Sequence, residues 1–188
     1  YGVDAIAAYT NSLILNKKIL VPLYGIPADA QALQTYQDLM PGYEVIGFTY
    51  DGGEQDRPFE WLDSIHCRTR SIFDPAMLYM THKRMNDTVA ESSAGYPVEV
   101  RIIDYSAAGL ISGELKLHWR KNTLSSYHSV QLQPTSDPEV FSATIPGGPS
   151  GGKAGDNIEY YLSAADSSGQ SEVLPRVAPA GVYSFSVQ

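Results

Sequence analysis

A single cysteine, Cys67, occurs in the 188 residues. One thiol cannot close an internal disulfide, and it cannot build a thiolate zinc cage. Long apolar runs are missing too: no stretch reaches the roughly 18 consecutive apolar residues of a membrane-spanning helix. The first residues, Tyr1 to Ile6, lack a basic stretch followed by an apolar one, so no secretion signal is visible there. Basic residues are outnumbered, 13 Lys and Arg against 21 Asp and Glu, for a net charge of −8. They are scattered, which argues against nucleic acid as a partner. An acidic protein does suit a cationic substrate, which its field steers inward.

The apolar fraction of 43% and charged fraction of 18% are those of a globular protein, and the length allows one medium domain or two small ones. Ser12-Leu-Ile-Leu15 and Ile19-Leu-Val-Pro-Leu-Tyr24 are β-favouring runs separated by Asn16-Lys-Lys18. Asparagine tolerates the left-handed backbone of a tight turn, so they read as a β-hairpin with Pro22 at a strand end or edge. Pro27-Ala-Asp29 opens a helix whose Ala32, Leu33, Tyr36, Leu39 and Met40 recur at helical spacing and are expected to bury one face. Pro41 and Gly42 end it. A third strand is expected over 43–48. The polar stretch 50–58 reads as a solvated turn; its Asp51, Glu54 and Asp56 match no calcium loop. Met77 to Thr81 reads as a further strand of the same region, ending near Lys83-Arg-Met85. One helix and a few strands cannot cover both faces of a sheet, so residues 10–85 look like one unit of a larger body.

Residues 86–96 are small and polar, as in a linker, and Asn86-Asp-Thr88 is a formal glycosylation sequon. From Pro97 the pattern changes to short runs of period two: 98–103, 113–119, 126–133, 140–145, 157–165 and 182–187, with turn residues such as Pro146 to Gly152 between them. Regular short alternating strands without a helical period predict an antiparallel β-sandwich. The runs Gly155-Asp-Asn-Ile-Glu-Tyr-Tyr161, Ala165-Asp-Ser-Ser-Gly169 and Tyr183-Ser-Phe185 resemble the late strands of immunoglobulin-like or fibronectin-type modules on secreted bacterial enzymes.

The remaining question is Cys67. A lone apolar-flanked cysteine is ordinarily inert core filling. A reactive one must be partly exposed with its thiolate stabilised, and His66, Arg68 and Arg70 supply nearby positive charge. In a strand, however, adjacent side chains point to opposite faces, so His66 and Arg68 do not reach the sulfur by adjacency alone. Asp63 reads as a solvated or turn-bonding residue, and Trp61 and Trp119 as packing residues. Grouping of the sandwich aromatics into a binding face is not decided by the sequence.

Asp63-Ser-Ile-His-Cys-Arg-Thr69 resembles the nucleophile segment of the bacterial peptidylarginine deiminase and agmatine deiminase family. So do Tyr9-Thr-Asn-Ser-Leu-Ile-Leu-Asn16 with Val21-Pro-Leu-Tyr24, and the stretch from Ala32 to Gly47. Phe73-Asp74 with Met77-Leu-Tyr79 follows in order. The resemblance implies an α+β fold. Residues 1–90 would be the C-terminal portion of a deiminase catalytic domain, the last strand-strand-helix-strand blade of a five-bladed α/β propeller, a pentein. Residues 91–188 would be the immunoglobulin-like sandwich. It implies Cys67 as the nucleophile and Asn11 as a neighbouring residue that orders the site, a plain turn or cap role for Asn11 being the other reading. It implies no cofactor and no metal.

The family's two carboxylates and its histidine lie in earlier blades, so the expected partners are the N-terminal remainder of the same protein and an arginine-containing peptide or small guanidino substrate. His82, His118 and His128 fall outside the motif and read as structural. The expected activity is deimination of peptidyl-arginine to citrulline by a secreted or periplasmic protein, with this chain alone inactive and prone to associate through open strand edges. Deimination of agmatine or free arginine is the alternative within enzymes, and an adhesion or scaffold module with an inert Cys67 the alternative outside them.

Overall fold

Ile19 and Val21 are fully buried, and the strand that carries them is the centre of the first unit. The computed structural model describes residues 7–15, 17–49 and 64–188, which divide into compact units spanning Tyr1–Phe73 and Asp74–Gln188. The expected roles of Asn16, of the 50–58 turn, and of Trp61 and Asp63 fall outside the described residues. In the first unit β1 (Leu13–Leu15) pairs antiparallel with β2 (Lys18–Pro22), Leu13 opposite Leu20. Helix α1 (Ala28–Leu39) then returns the chain to β3 (Glu44–Phe48), which runs parallel to β2. The sheet order is β1-β2-β3, and a Lys18–Glu44 ion pair bridges the first residues of β2 and β3. The turn's left-handed residue is Lys17, at φ 64°.

Pro22 closes β2, as a residue without an N–H should. Gly47 lets the helix approach: a Cβ there would lie 2.6 Å from Leu23 Cδ1 and 3.3 Å from Leu33 Cδ2. The apolar stripe of α1 is shallower than its spacing suggests. Ala32, Leu33, Tyr36 and Met40 are half-buried, and Leu39 is 75% exposed. A three-stranded sheet is too narrow to cover the last turn of the helix. The one-turn helix α2 (Ile65–Arg68) follows.

The second unit is two sheets around one core. The first contains β4 (Leu78–Thr81), β6 (Tyr96–Asp104), β10 (Val140–Ile145) and β9 (Gln133–Pro134) in that order. The second contains β5 (Thr88–Val89), β13 (Tyr183–Val187), β11 (Asn157–Ala165), β7 (Lys116–Lys121) and β8 (His128–Gln131), with β12 (Ser171–Leu174) also on β11. Alternation decides which side chains enter the core: Val98, Val100 and Ile102 from β6 meet Leu117, Trp119, Ile158, Tyr160, Leu162 and Phe185. Each fully buried aliphatic residue here contributes about 1.5–3 kcal/mol through burial.

Three expectations change. The strand at Leu78–Thr81, assigned from sequence to the first region, pairs with β6 and sends Leu78 and Met80 into the sandwich core. The compact units accordingly divide between Phe73 and Asp74, ahead of the compositional boundary at 90/91. The polar segment 86–96 is not a free linker, because Thr88–Val89 pairs parallel with β13 and Glu91 N–H donates to the Gln188 carbonyl at 2.7 Å. Finally, the single strand expected over 126–133 is broken. The chain leaves one sheet after Gln131 and enters the other at Gln133, with Leu132 buried at the crossing.

Candidate active site

Asn11 ends a short 3₁₀ turn, Tyr9–Asn11, whose Asn11 N–H donates to the Ala8 carbonyl at 3.0 Å. Two parts of the chain pin this turn. From α1, Asp29 accepts the Tyr9 hydroxyl at 2.6 Å, and the Tyr36 hydroxyl donates to the Tyr9 carbonyl at 2.9 Å. The Tyr36 proton being spent there, Ser12 Oγ–H is the donor in the 2.7 Å contact to the Tyr36 oxygen. After β2, the Tyr24 oxygen accepts Ala8 N–H at 3.1 Å, and its ring meets Tyr9 edge to face at 5.5 Å.

Asp29 is the hub. Besides the Tyr9 hydroxyl it accepts the backbone N–H groups of Tyr24, Gly25 and Ile26 at 2.8–3.2 Å. Burial pushes its pKa up, but the Tyr9 hydroxyl and the three N–H groups outweigh burial and hold it below the ordinary value. Tyr24 moves the other way, raised foremost by burial and also by the Asp29 charge, against the lowering effect of the Ala8 N–H. Asp29→Asn replaces two acceptor oxygens by one, and it is expected to lower stability by about 1 kcal/mol in urea melts of the intact chain. A folded-state pKa below the ordinary 3.8 stabilises the fold above that value, and the contribution is lost as pH falls through the folded value. The variant should therefore lose part of the wild-type stability decline below about pH 4; an unchanged acid profile would assign that decline to other carboxylates.

Cys67 lies in α2 and is exposed. Inert core filling is thus excluded for it. The segment is a helical turn rather than the strand considered from sequence, with Cys67 N–H donating to the Ser64 carbonyl at 2.9 Å and Thr69 N–H to the His66 carbonyl at 3.4 Å. Adjacent side chains in a helix point about 100° apart rather than to opposite faces, so the strand argument against His66 and Arg68 no longer applies in that form. Ser64, just before the turn, is fully buried. Helix α2 packs against the Tyr9–Asn11 turn, so the fold brings together two segments far apart in sequence, one carrying Asn11 and the other Cys67.

The other histidines stand in the second unit. His82 contacts the Glu99 carbonyl and the Tyr160 hydroxyl, and His118 contacts the hydroxyls of Ser129 and Ser163. His128 is exposed on the edge strand β8, stacked at 4.8 Å on Trp119, which is itself 4% exposed in the core. Among the described residues no three His, Cys, Asp or Glu side chains gather as metal ligands, and no helix is long and apolar enough to cross a membrane. Sequence reasoning missed Asp29, Tyr24, Tyr36, Ser12 and Ser64. Only Asp29 carried a local signal, an acidic residue in the first turn of a helix.

Residues 2–72 match the family of Porphyromonas-type peptidyl-arginine deiminases. A curated protein of Lactococcus lactis subsp. lactis (strain IL1403), provisionally named an agmatine deiminase, is 39% identical over 74 residues, which cover 37% of this chain and 18% of that protein. The chain thus spans under a fifth of that relative's length.

Proposed function

We propose, from the match of residues 2–72 to the Porphyromonas-type peptidyl-arginine deiminases, that this chain is the C-terminal part of a hydrolase that deiminates the guanidino group of peptidyl-arginine. In this reading the first unit is the last blade of a propeller, and the second an immunoglobulin-like module of a secreted or periplasmic enzyme. The two-sheet core of residues 74–188 supports the module. A structure of the whole polypeptide that failed to repeat the β1-β2-α1-β3 unit around an axis would remove the blade assignment, and cell fractionation tests the location.

Cys67 acts as the nucleophile. Its thiolate attacks the guanidinium carbon, forming a C–S bond, and the C–N bond to one amino group breaks as that nitrogen takes a proton and leaves as ammonia. Water then adds to the thiouronium carbon and expels the thiolate, giving the ureido group of citrulline. The carbon is electrophilic only while the guanidinium is held charged, so two carboxylates and a proton-donating histidine are required. These come from the N-terminal remainder of the protein, and Asn11 orders the turn beside the thiol. The observation that carries the reading is the packing of the exposed Cys67 turn on the Asn11 turn, within a segment that matches the deiminase family.

The test is labelling of the whole polypeptide with a chloroacetamidine-type guanidine mimic. Cys67 is expected to react faster in the native protein than in a denatured control, and arginine peptides to protect it. Equal rates would leave Cys67 an inert surface thiol and favour an adhesion or scaffold role. The Lactococcus relative favours a second reading, a small guanidino substrate. A comparison of kcat/KM for an arginine peptide, agmatine and free arginine separates the two, the peptide being expected to lead.

A further inference from the structure

We propose that Ser64 is a positioning residue for Cys67, its hydroxyl being the cap that locks the turn carrying the thiol. The inference rests on the reading of Cys67 as nucleophile. Ser64 is fully buried, yet its Oγ has no hydrogen-bond partner. A hydroxyl buried without a partner destabilises the fold where an alanine would not, and folded proteins rarely keep one without a use for it.

The use is suggested by where Ser64 stands. It occupies the N-cap position of α2 in extended backbone, at φ −155° and ψ −170°. From that position a serine oxygen ordinarily accepts the N–H of the second or third helical residue, which here are His66 and Cys67. In the structure the Cys67 N–H instead donates to the Ser64 carbonyl at 2.9 Å, and the side chain caps nothing. Rotation about the Cα–Cβ bond of Ser64 brings Oγ to one of these N–H groups and leaves the buried backbone where it is. A four-residue helix has too few internal hydrogen bonds to hold itself. The cap therefore decides how firmly the turn, and with it Sγ, is fixed. When the remainder of the catalytic body and the substrate close over the thiol, the capped rotamer is the one they select.

The test compares Ser64→Ala, Ser64→Thr and Ser64→Val in the whole polypeptide. Two readouts are taken: kcat and KM for an arginine peptide, and the pH profile of Cys67 alkylation by iodoacetamide. Ser64→Ala is expected to lower kcat about tenfold with KM within about twofold, and to change the alkylation profile. Ser64→Thr, which keeps the hydroxyl, restores most of both; Ser64→Val, the same shape without it, does not. If Ser64→Ala does not fold, the threonine and valine variants make the same comparison. An unchanged kcat and alkylation profile in Ser64→Ala, or equal behaviour of threonine and valine, overturns the proposal. Failure of the underlying reading shows separately, as citrulline formation that survives loss of Cys67, while the alkylation profile still reports on Ser64.

Discussion

Replacing Cys67 with alanine in the whole polypeptide is expected to cut citrulline formation by about four orders of magnitude or more while leaving the fold intact. The size follows from what the thiol does. In the proposed reaction it is the group that bonds to the guanidinium carbon, and removing a covalent nucleophile elsewhere costs factors of about a million in kcat, with residual rates that come from transition-state hydrogen bonds and binding. Serine in its place restores little, because an alcohol is a far weaker nucleophile at neutral pH than a partly ionised thiol. The fold survives because Cys67 is exposed, and alanine keeps the backbone N–H of the turn, so the change in stability is only about 0.5 kcal/mol. The measurement is colorimetric ureido detection on an arginine peptide, beside a thermal melt. A variant that makes citrulline within tenfold of wild type, with an unchanged melt, would sink the assignment of Cys67.

The second large effect lies in the sandwich core. His82 Nδ1 sits 2.6 Å from the Glu99 carbonyl, which can only accept, so Nδ1 carries the proton. Neutral Nε2 then accepts the Tyr160 hydroxyl at 2.9 Å, and the Tyr160 oxygen accepts Met85 N–H at 3.2 Å. Each donor in this chain has one acceptor. Tyr160 itself is fully buried, and burial pushes its pKa up to about 12. Tyr160→Phe deletes the central oxygen and leaves both the histidine nitrogen and the Met85 N–H without a partner. The expected cost is about 2–3 kcal/mol, measured as a shift of the urea midpoint.

The same chain makes the fold sensitive to acid. Burial lowers the pKa of His82 against the opposing pull of the Glu99 carbonyl, and it lowers His118 too, with help from the Lys116 charge. Both are neutral in the native state and charge more readily when unfolded. Between their folded values and the unfolded value near 6.5 the unfolded chain binds more protons. Stability is therefore full above about pH 6.5 and declines as pH falls below it. A protonated His82 would also turn Nε2 into a donor toward Tyr160 and strand the tyrosine proton. His82→Gln should flatten part of that decline; an identical pH profile in the variant would remove His82 from the explanation.

Local pattern was a good guide wherever the packing partner did not matter. The inward residues of β6, β11 and β13 follow from alternation alone, since one strand face must be dry. The β1-β2-α1-β3 order was likewise readable from two β-favouring runs and a helical repeat. What pattern could not supply was the partner. Leu78-Tyr-Met-Thr81 alternates equally well in either unit, and only its pairing with β6 places it in the second. The break at Leu132 was hidden because Val130 and Leu132 keep the period of two across the change of sheet. At the candidate site, Cys67 and Asn11 were singled out by ordered motifs. The support around them was not, because Asp29 collects donors from two segments and Tyr36 reaches back to the Tyr9 carbonyl. Ser64 was invisible for another reason: its interest lies in a bond it does not make.

The pairing of β5 with β13 has a mechanical meaning. The strands run parallel, Thr88 beside Ser186 and Val89 beside Val187, and neighbouring backbone bonds join Ser186 to Asp87, Gln188 to Val89 and Glu91 to Gln188. Tension that enters through the chain before β5 and leaves through the end of β13 pulls these strands along their length in opposite senses. Their bonds then share the load together rather than opening one at a time. Because β4 precedes β5 in the chain and is held on β6, a pull from the N-terminal side loads the β4–β6 pairing first, and this short clamp bears the load once β4 has let go.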